Sequence, residues 1–296
     1  MFKRIFLFVL LNIVIIATIE FIMMALNIDP STINDMGGFN YEGVAAASLL
    51  YGFVGSIISL LLSRPLAKMM CGVSVIKNPT NPTEVWLLNT IEHYTKVARI
   101  PMPEVGIYHG SPNAFATGWS KNHSLVAVSD GLLQLMDEKE TAAVICHELS
   151  HIKNGDMVTM CLLQGVMNAF IIFLSRLLSY IIMSSGRNRN SRRASSSGVY
   201  YLVSFLLRII LGIVASLILC FYSRKREYAA DKGASDLMCE PMSMISALSK
   251  LGGLKEKSSL PKDMAAFGIS GDSSFLALFA THPPIANRIS ALKKGY

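Results

Sequence analysis

His147-Glu148-Leu149-Ser150-His151 reads H-E-x-x-H. On a helix, the four-residue spacing turns both imidazoles to one face, where they can bind one zinc ion with the Glu148 carboxylate beside the open coordination position as general base. The plainer alternative is a solvated helix face that happens to carry two histidines and an acid. Catalytic zinc usually takes three protein ligands and a water, so a third ligand must come from elsewhere in the chain. Glu227 is the best candidate. It lies in Arg226-Glu227-Tyr228-Ala229-Ala230-Asp231, which should continue a long hydrophobic helix and so places Glu227 and Asp231 on one face. Asp231 could then accept a hydrogen bond from His147 and fix its tautomer. The competing reading makes Glu227 a surface acid paired with the neighbouring Arg or Lys.

These residues need elements to hold them. Asp137 and Glu140 form a capping-box pattern that opens the H-E-x-x-H helix, with Ala143, Val144, Cys146 and Ile152 as its apolar positions and Gly155 as its stop. Upstream, Asn81-Pro82-Thr83-Glu84 opens an amphipathic helix to about Arg99, ended by Pro101 and Pro103. Three short strand-like runs follow, Glu104 to Tyr108, Asn113 to Gly118 and Ser124 to Ser129, and imply a small antiparallel sheet with exposed edges. Gly252 to Ser274 is rich in Gly, Ser, Lys and Asp and reads as a surface loop or a mobile cover over the cleft.

The chain has 296 residues, 52% hydrophobic but only 16% charged, where a soluble domain carries about a quarter. That deficit excludes an ordinary soluble enzyme. Four stretches approach the length of about 20 apolar residues that a bilayer span needs: Ile5 to Ala25, Gly43 to Leu62, Met157 to Met183 and Val199 to Tyr222. The first is longer than a signal-peptide core and has no convincing cleavage site after it, so it reads as an uncleaved helix. Ser48, Gly52 and Ser56 in the second make a small-residue face suited to close helix contact. Acids but no Lys or Arg lie between spans one and two, whereas Arg64, Lys68 and Lys77 follow span two, which puts the polar block after it in the cytoplasm. The second pair gives no clean orientation, because Arg187, Arg189, Arg192 and Arg193 join the helices and Arg224, Lys225 and Arg226 follow them. Arg176 and Arg208 are equally far from Arg192 and would meet at one depth, which calls for a wet cavity, snorkelling or partial insertion. His151 shortly precedes span three and Glu227 shortly follows span four, so along continuous helices each lies within about 10 Å of the apolar boundary.

Five cysteines without a C-x-x-C pair exclude a disulfide framework or thiolate zinc ribbon. The net charge of +7 comes from scattered Lys and Arg without an aromatic-interleaved basic face, so no nucleic-acid partner is expected. The organisation expected is a helix pair over 1–63, an α+β part over 64–156, a hydrophobic hairpin over 157–222 and a polar C-terminal part over 223–296.

Taken in order, these features resemble the HtpX family of bacterial membrane zinc metalloproteases, relatives of the eukaryotic CAAX prenyl endopeptidases. The resemblance runs through the early helical pair, Asn113-Ala114-Phe115-Ala116-Thr117-Gly118, His147 to His151 with Asn154-Gly155-Asp156, Glu227 to Asp231, and Thr281-His282-Pro283-Pro284 with Arg288. It implies a mainly α membrane protein: four hydrophobic helices plus a cytoplasmic zincin-like α+β domain. It also implies an inner-membrane endopeptidase acting on misfolded or damaged membrane proteins in quality control and stress, alongside other quality-control proteases. One zinc on His147, His151 and Glu227, with Glu148 as base, follows from it. His282 and Arg288 would stabilise the oxyanion, and Asn113, Ala114, Phe115, Ala116 and Thr117 would hold an extended substrate by main-chain bonds. A chain that keeps the metal and the fold but serves as a scaffold is the non-enzymatic alternative.

Overall fold

The computed structural model describes residues 15–29, 31, 38–185, 196–258 and 280–295. The loop arginines from Arg187 to Arg193 and the start of the first span lie outside the described residues. The chain divides into two compact units, residues 1–59 with 160–219, and residues 60–159 with 220–296.

The first unit is helical. It contains α1 (Ile15–Ala25), most of α2 (Tyr41–Leu61), and the apolar lengths of α7 (Asp156–Ser185) and α8 (Ser196–Met238). Ile19, Met23 and Ala47 form its buried centre. Among the described residues three helices, α2, α7 and α8, are long and apolar enough to cross a membrane. The expectation of four is therefore met in part: the N-terminal helix is described only over Ile15–Ala25, too short to cross by itself. The small-residue face of α2 packs as expected. Ser48 is buried, and a Cβ on Gly52 would come 2.5 Å from the Gly165 carbonyl oxygen on α7. Along α7 and α8 a polar seam joins Ser204 to Ser179 at 2.7 Å, and Arg208 Nε donates to Ser175 Oγ at 3.4 Å.

The second unit is α+β. Its helices are α3 (Ser63–Cys71), α4 (Pro82–Ala98), α5 (Asp130–Leu135), α6 (Glu138–Asn154), α9 (Met242–Ser258) and α10 (Ile285–Lys294), with the polar end of α8. Strands β1 (Ser74–Val75), β2 (Glu104–Tyr108), β3 (Ala114–Ser120) and β4 (His123–Ser129) form one sheet in the order β1-β2-β4-β3. The sheet is mixed, which corrects the antiparallel expectation: β2 and β4 run parallel, from Glu104 opposite Leu125 to Tyr108 opposite Ser129. The reason is burial. β4 is buried from Ser124 to Ser129, so it takes the centre, and the half-exposed β3 is displaced to the edge. Thus β3 passes over a gap one strand wide, about 4.8 Å on either side, and β4 returns into it. Gly252 to Ser258, expected in a loop, belong to α9, and residues 259–279 of the supposed cover lie outside the described residues.

Leu87, Ile91, Val105, Val126, Val128, Ile145 and Leu149 are core residues between sheet and helices. The capping box of α6 is formed both ways: Glu140 N–H donates to Asp137 Oδ1 at 2.9 Å, and Asp137 N–H donates to Glu140 Oε2 at 3.0 Å. Gly155 ends α6 in the left-handed region at φ 70°, which only glycine adopts without cost, and α7 restarts at Asp156.

Candidate metal centre

Three elements of the second unit converge: α6 with His147, Glu148 and His151, the polar end of α8 with Glu227 and Asp231, and α10 with Arg288. His147 Nε2 and His151 Nε2 lie 3.2 Å apart. Glu227 Oε2 is 3.6 Å from the first and Oε1 is 3.5 Å from the second. All three side chains are nearly withdrawn from solvent, with Glu227 3% exposed.

The outer nitrogen of each ring is already committed. His147 Nδ1 is 2.9 Å from Asp231 Oδ1, and His151 Nδ1 is 2.6 Å from Asp156 Oδ2. An ionised carboxylate only accepts, so each Nδ1 carries the hydrogen, and in the neutral ring Nε2 is left with a lone pair. Two lone pairs and a carboxylate then face one another in a buried space. Glu227 Oε2 has ion-pair neighbours, His282 Nδ1 at 2.8 Å and Arg288 Nη1 at 3.3 Å, but no donor aligned for a hydrogen bond. A buried acceptor cluster of this kind is costly unless a cation satisfies it. The donor atoms lie within 4.8 Å of one another, and their separations match the edges of about 3.3 Å of a tetrahedron with metal–nitrogen bonds near 2.0–2.1 Å. The residues fit a single tetrahedral divalent metal with one position left open.

The field around the cluster is cation-attracting. Burial works against a charged His151 ring, yet its bonds to Asp156 and Glu227 and the charge of Glu148 outweigh that and push it up to about 9. His147 is likewise raised, burial being outweighed by Asp231 and Glu227. Glu227 is buried but is held well below the usual carboxylate range by the rings of His147, His151 and His282. Asp231 is lowered in spite of burial by Arg288 and His147.

The sequence-derived residues fall into place unequally. Arg288 is spent on Asp231, with Nε to Oδ2 at 2.7 Å and Nη2 to Oδ1 at 2.5 Å, which makes a bidentate clamp behind His147. It is buried, and a role as an oxyanion donor would require that clamp to open. His282 is beside the cluster and 61% exposed, so its ring can meet an incoming group. Asn113 precedes β3, and Ala114, Phe115, Ala116 and Thr117 lie on it, at an edge of the sheet that pairs with no strand among the described residues. Ala116 N–H donates to Glu148 Oε2 at 2.8 Å, which ties that edge to α6. Asp156 was missed as a partner of His151. Its signal was available, since an acid just past a left-handed Gly cap can fold back on the last helical turn. Arg226, whose Nη1 donates to the Asp156 carbonyl at 2.8 Å, was missed too.

The family model for Peptidase family M48 matches residues 81–295, which include every residue of this cluster. The chain belongs to peptidase family M48. A Protease HtpX homolog of Herminiimonas arsenicoxydans is 45% identical over 98% of this chain and 99% of its own. Another, of Prosthecochloris aestuarii, is 48% identical over 99% of each. The crystal structure of Ste24p from S. mikatae superposes with a TM-score of 0.70 at 17% identity, covering 99% of this chain and 65% of that one, and shows a shared fold. As an M48 peptidase with apolar helices of spanning length, the chain is a membrane metalloprotease.

Proposed function

We propose that this M48 peptidase is a zinc endopeptidase of the bacterial inner membrane that cleaves misfolded or damaged membrane proteins at the cytoplasmic face. The observation that carries the reading is the cluster of His147 Nε2, His151 Nε2 and Glu227 at mutual distances of 3.2 to 3.6 Å, with Glu148 on the next position of the same helix. Zinc held there would supply Lewis acidity toward a water molecule and the peptide carbonyl.

The chain's own residues do the rest. Asp231 and Asp156 hold the two imidazoles in the tautomer that offers Nε2 inward. Glu148 accepts a proton from the attacking water and returns it to the leaving nitrogen. His282, exposed beside the cluster, donates toward the developing oxyanion, and Arg288 acts through Asp231 and Glu227 as a positioning residue. The edge of β3, unpaired among the described residues, suits an extended chain, which selects unfolded segments over folded ones. What supports the cytoplasmic face is the charge pattern of the sequence, acids between the first two spans and Arg64 and Lys68 after the second.

Glu148→Gln tests the reading in purified protein. The variant should keep its metal and lose at least about a hundredfold in kcat toward an unfolded substrate, because general acid–base catalysis is worth about 10²–10⁴. Unchanged cleavage would remove Glu148 from the chemistry, and a wild type with bound metal and no turnover would favour a scaffold.

A further inference from the structure

Strand β3 pairs antiparallel with β4, Ala114 opposite Val128, Phe115 opposite Ala127 and Ala116 opposite Val126. Just before it, Ser129 N–H donates to the Asn113 carbonyl at 2.9 Å, so Asn113 is in hydrogen-bonding register with β4. Antiparallel strands alternate bonded and non-bonded pairs. Phe115 and Thr117 therefore turn their main-chain groups toward β4, and Ala114 and Ala116 turn theirs to the free edge. A substrate strand would find two N–H and two C=O groups there, yet one of the four is taken: Ala116 N–H lies 2.8 Å from Glu148 Oε2.

We propose that the backbone amide of Ala116 is a positioning group for the base Glu148, and that substrate pairs with β3 through Ala114 and the Ala116 carbonyl alone. The proposal rests on the peptidase reading above. A glutamate has three rotatable side-chain bonds, and a base must be held where it meets the water. Anchoring Oε2 on a rigid strand does this and leaves Oε1 for the proton. An N–H has one hydrogen and cannot serve a charged carboxylate and a substrate carbonyl at full strength. The carboxylate is the stronger acceptor. The strand is itself held in place by its pairing with the buried strand β4, from Ala114 opposite Val128 to Ser120 opposite His123.

The test replaces the amide by an ester, which deletes one N–H and leaves the side chain. The ester at position 116, introduced with the α-hydroxy acid of alanine, should lower kcat by about ten- to hundredfold with metal content and KM near wild type, the scale of one hydrogen bond to a charged group. The ester at position 114 should instead raise KM. A raised KM with unchanged kcat at position 116 overturns the proposal, since that amide would then belong to the substrate. A second arm uses unaltered protein and a peptide substrate scanned by single backbone replacements away from the scissile bond. Two substrate N–H groups and one carbonyl should prove sensitive in KM, and two sensitive carbonyls would equally overturn the assignment. Wild-type protein that hydrolyses no peptide defeats the parent reading and this one together, and is distinguishable because it precedes any variant.

Discussion

Asp231 is wholly buried and accepts three bonds, from His147 Nδ1 at 2.9 Å, Arg288 Nε at 2.7 Å and Arg288 Nη2 at 2.5 Å. Asp231→Asn preserves its size, removes its charge and puts an NH₂ group where only donors face it. At most one side of the fork can keep its acceptor. Breaking a buried ion pair by removing one partner costs about 3–5 kcal/mol, because the other charge stays behind. Arg288 Nη1 remains 3.3 Å from Glu227, which points to the lower end of that range. Metal affinity should fall by about 10–100-fold as His147 loses its orienting acceptor. Detergent-solubilised protein would be followed by thermal unfolding and by zinc competition against a chromogenic chelator. Asp231→Asn with Arg288→Met should recover part of the stability, since the guanidinium is no longer stranded although Glu227 loses its neighbour at 3.3 Å, but not the metal affinity. If the single variant matched wild type in both assays, the clamp would be a bystander and the account of how His147 is held would fail.

Asp156→Ala should weaken zinc binding by about 10–100-fold while the protein stays folded, because His151 Nδ1 loses its acceptor; chelator competition reads it, and a change within twofold would exclude Asp156 from the centre. Gly52→Val should cost about 1–3 kcal/mol by forcing α2 away from the Gly165 carbonyl, whereas Gly55→Ala, whose Cβ meets only Ile15 at 3.6 Å, should be close to neutral in the same melting assay. Glu140 is pushed up by burial, but Lys250, Ser246 and the Asp137 amide outweigh this and hold it below its usual 4.5. Its contribution is therefore present above pH 4.5 and disappears as pH falls further through the lowered value. Glu140→Gln should thus cost about 1–2 kcal/mol at pH 7, with the gap narrowing progressively below pH 4.5; a gap that widened in acid would contradict the assignment.

The metal cluster was largely legible because its spacing is a helical period. His147 and His151 share a face by arithmetic, and Glu227 and Asp231 do so on a helix that runs unbroken from Ser196 to Met238. The capping box at Asp137 and Glu140 and the asparagine cap at Asn81 were legible because they are local chemistry. The parallel pairing of β2 with β4 was not, since strand order depends on which run is buried deepest and periodicity says nothing of neighbours. Strand β1 has two residues and carries no pattern at all. Arg288 was placed near the metal by resemblance, but its clamp on Asp231 joins α10 to α8 and is a property of tertiary packing alone.

Glu227 and Asp231 stand four residues apart on the polar end of α8, so the carboxylate that faces both Nε2 atoms and the acceptor of His147 Nδ1 are locked in rotational phase. One residue inserted between them would swing one carboxylate by about 100° relative to the other, and both could no longer meet the same ring. Side chains on the outer face of that turn can drift within helix-forming chemistry, while its spacing is governed by the imidazole it has to grip from two sides.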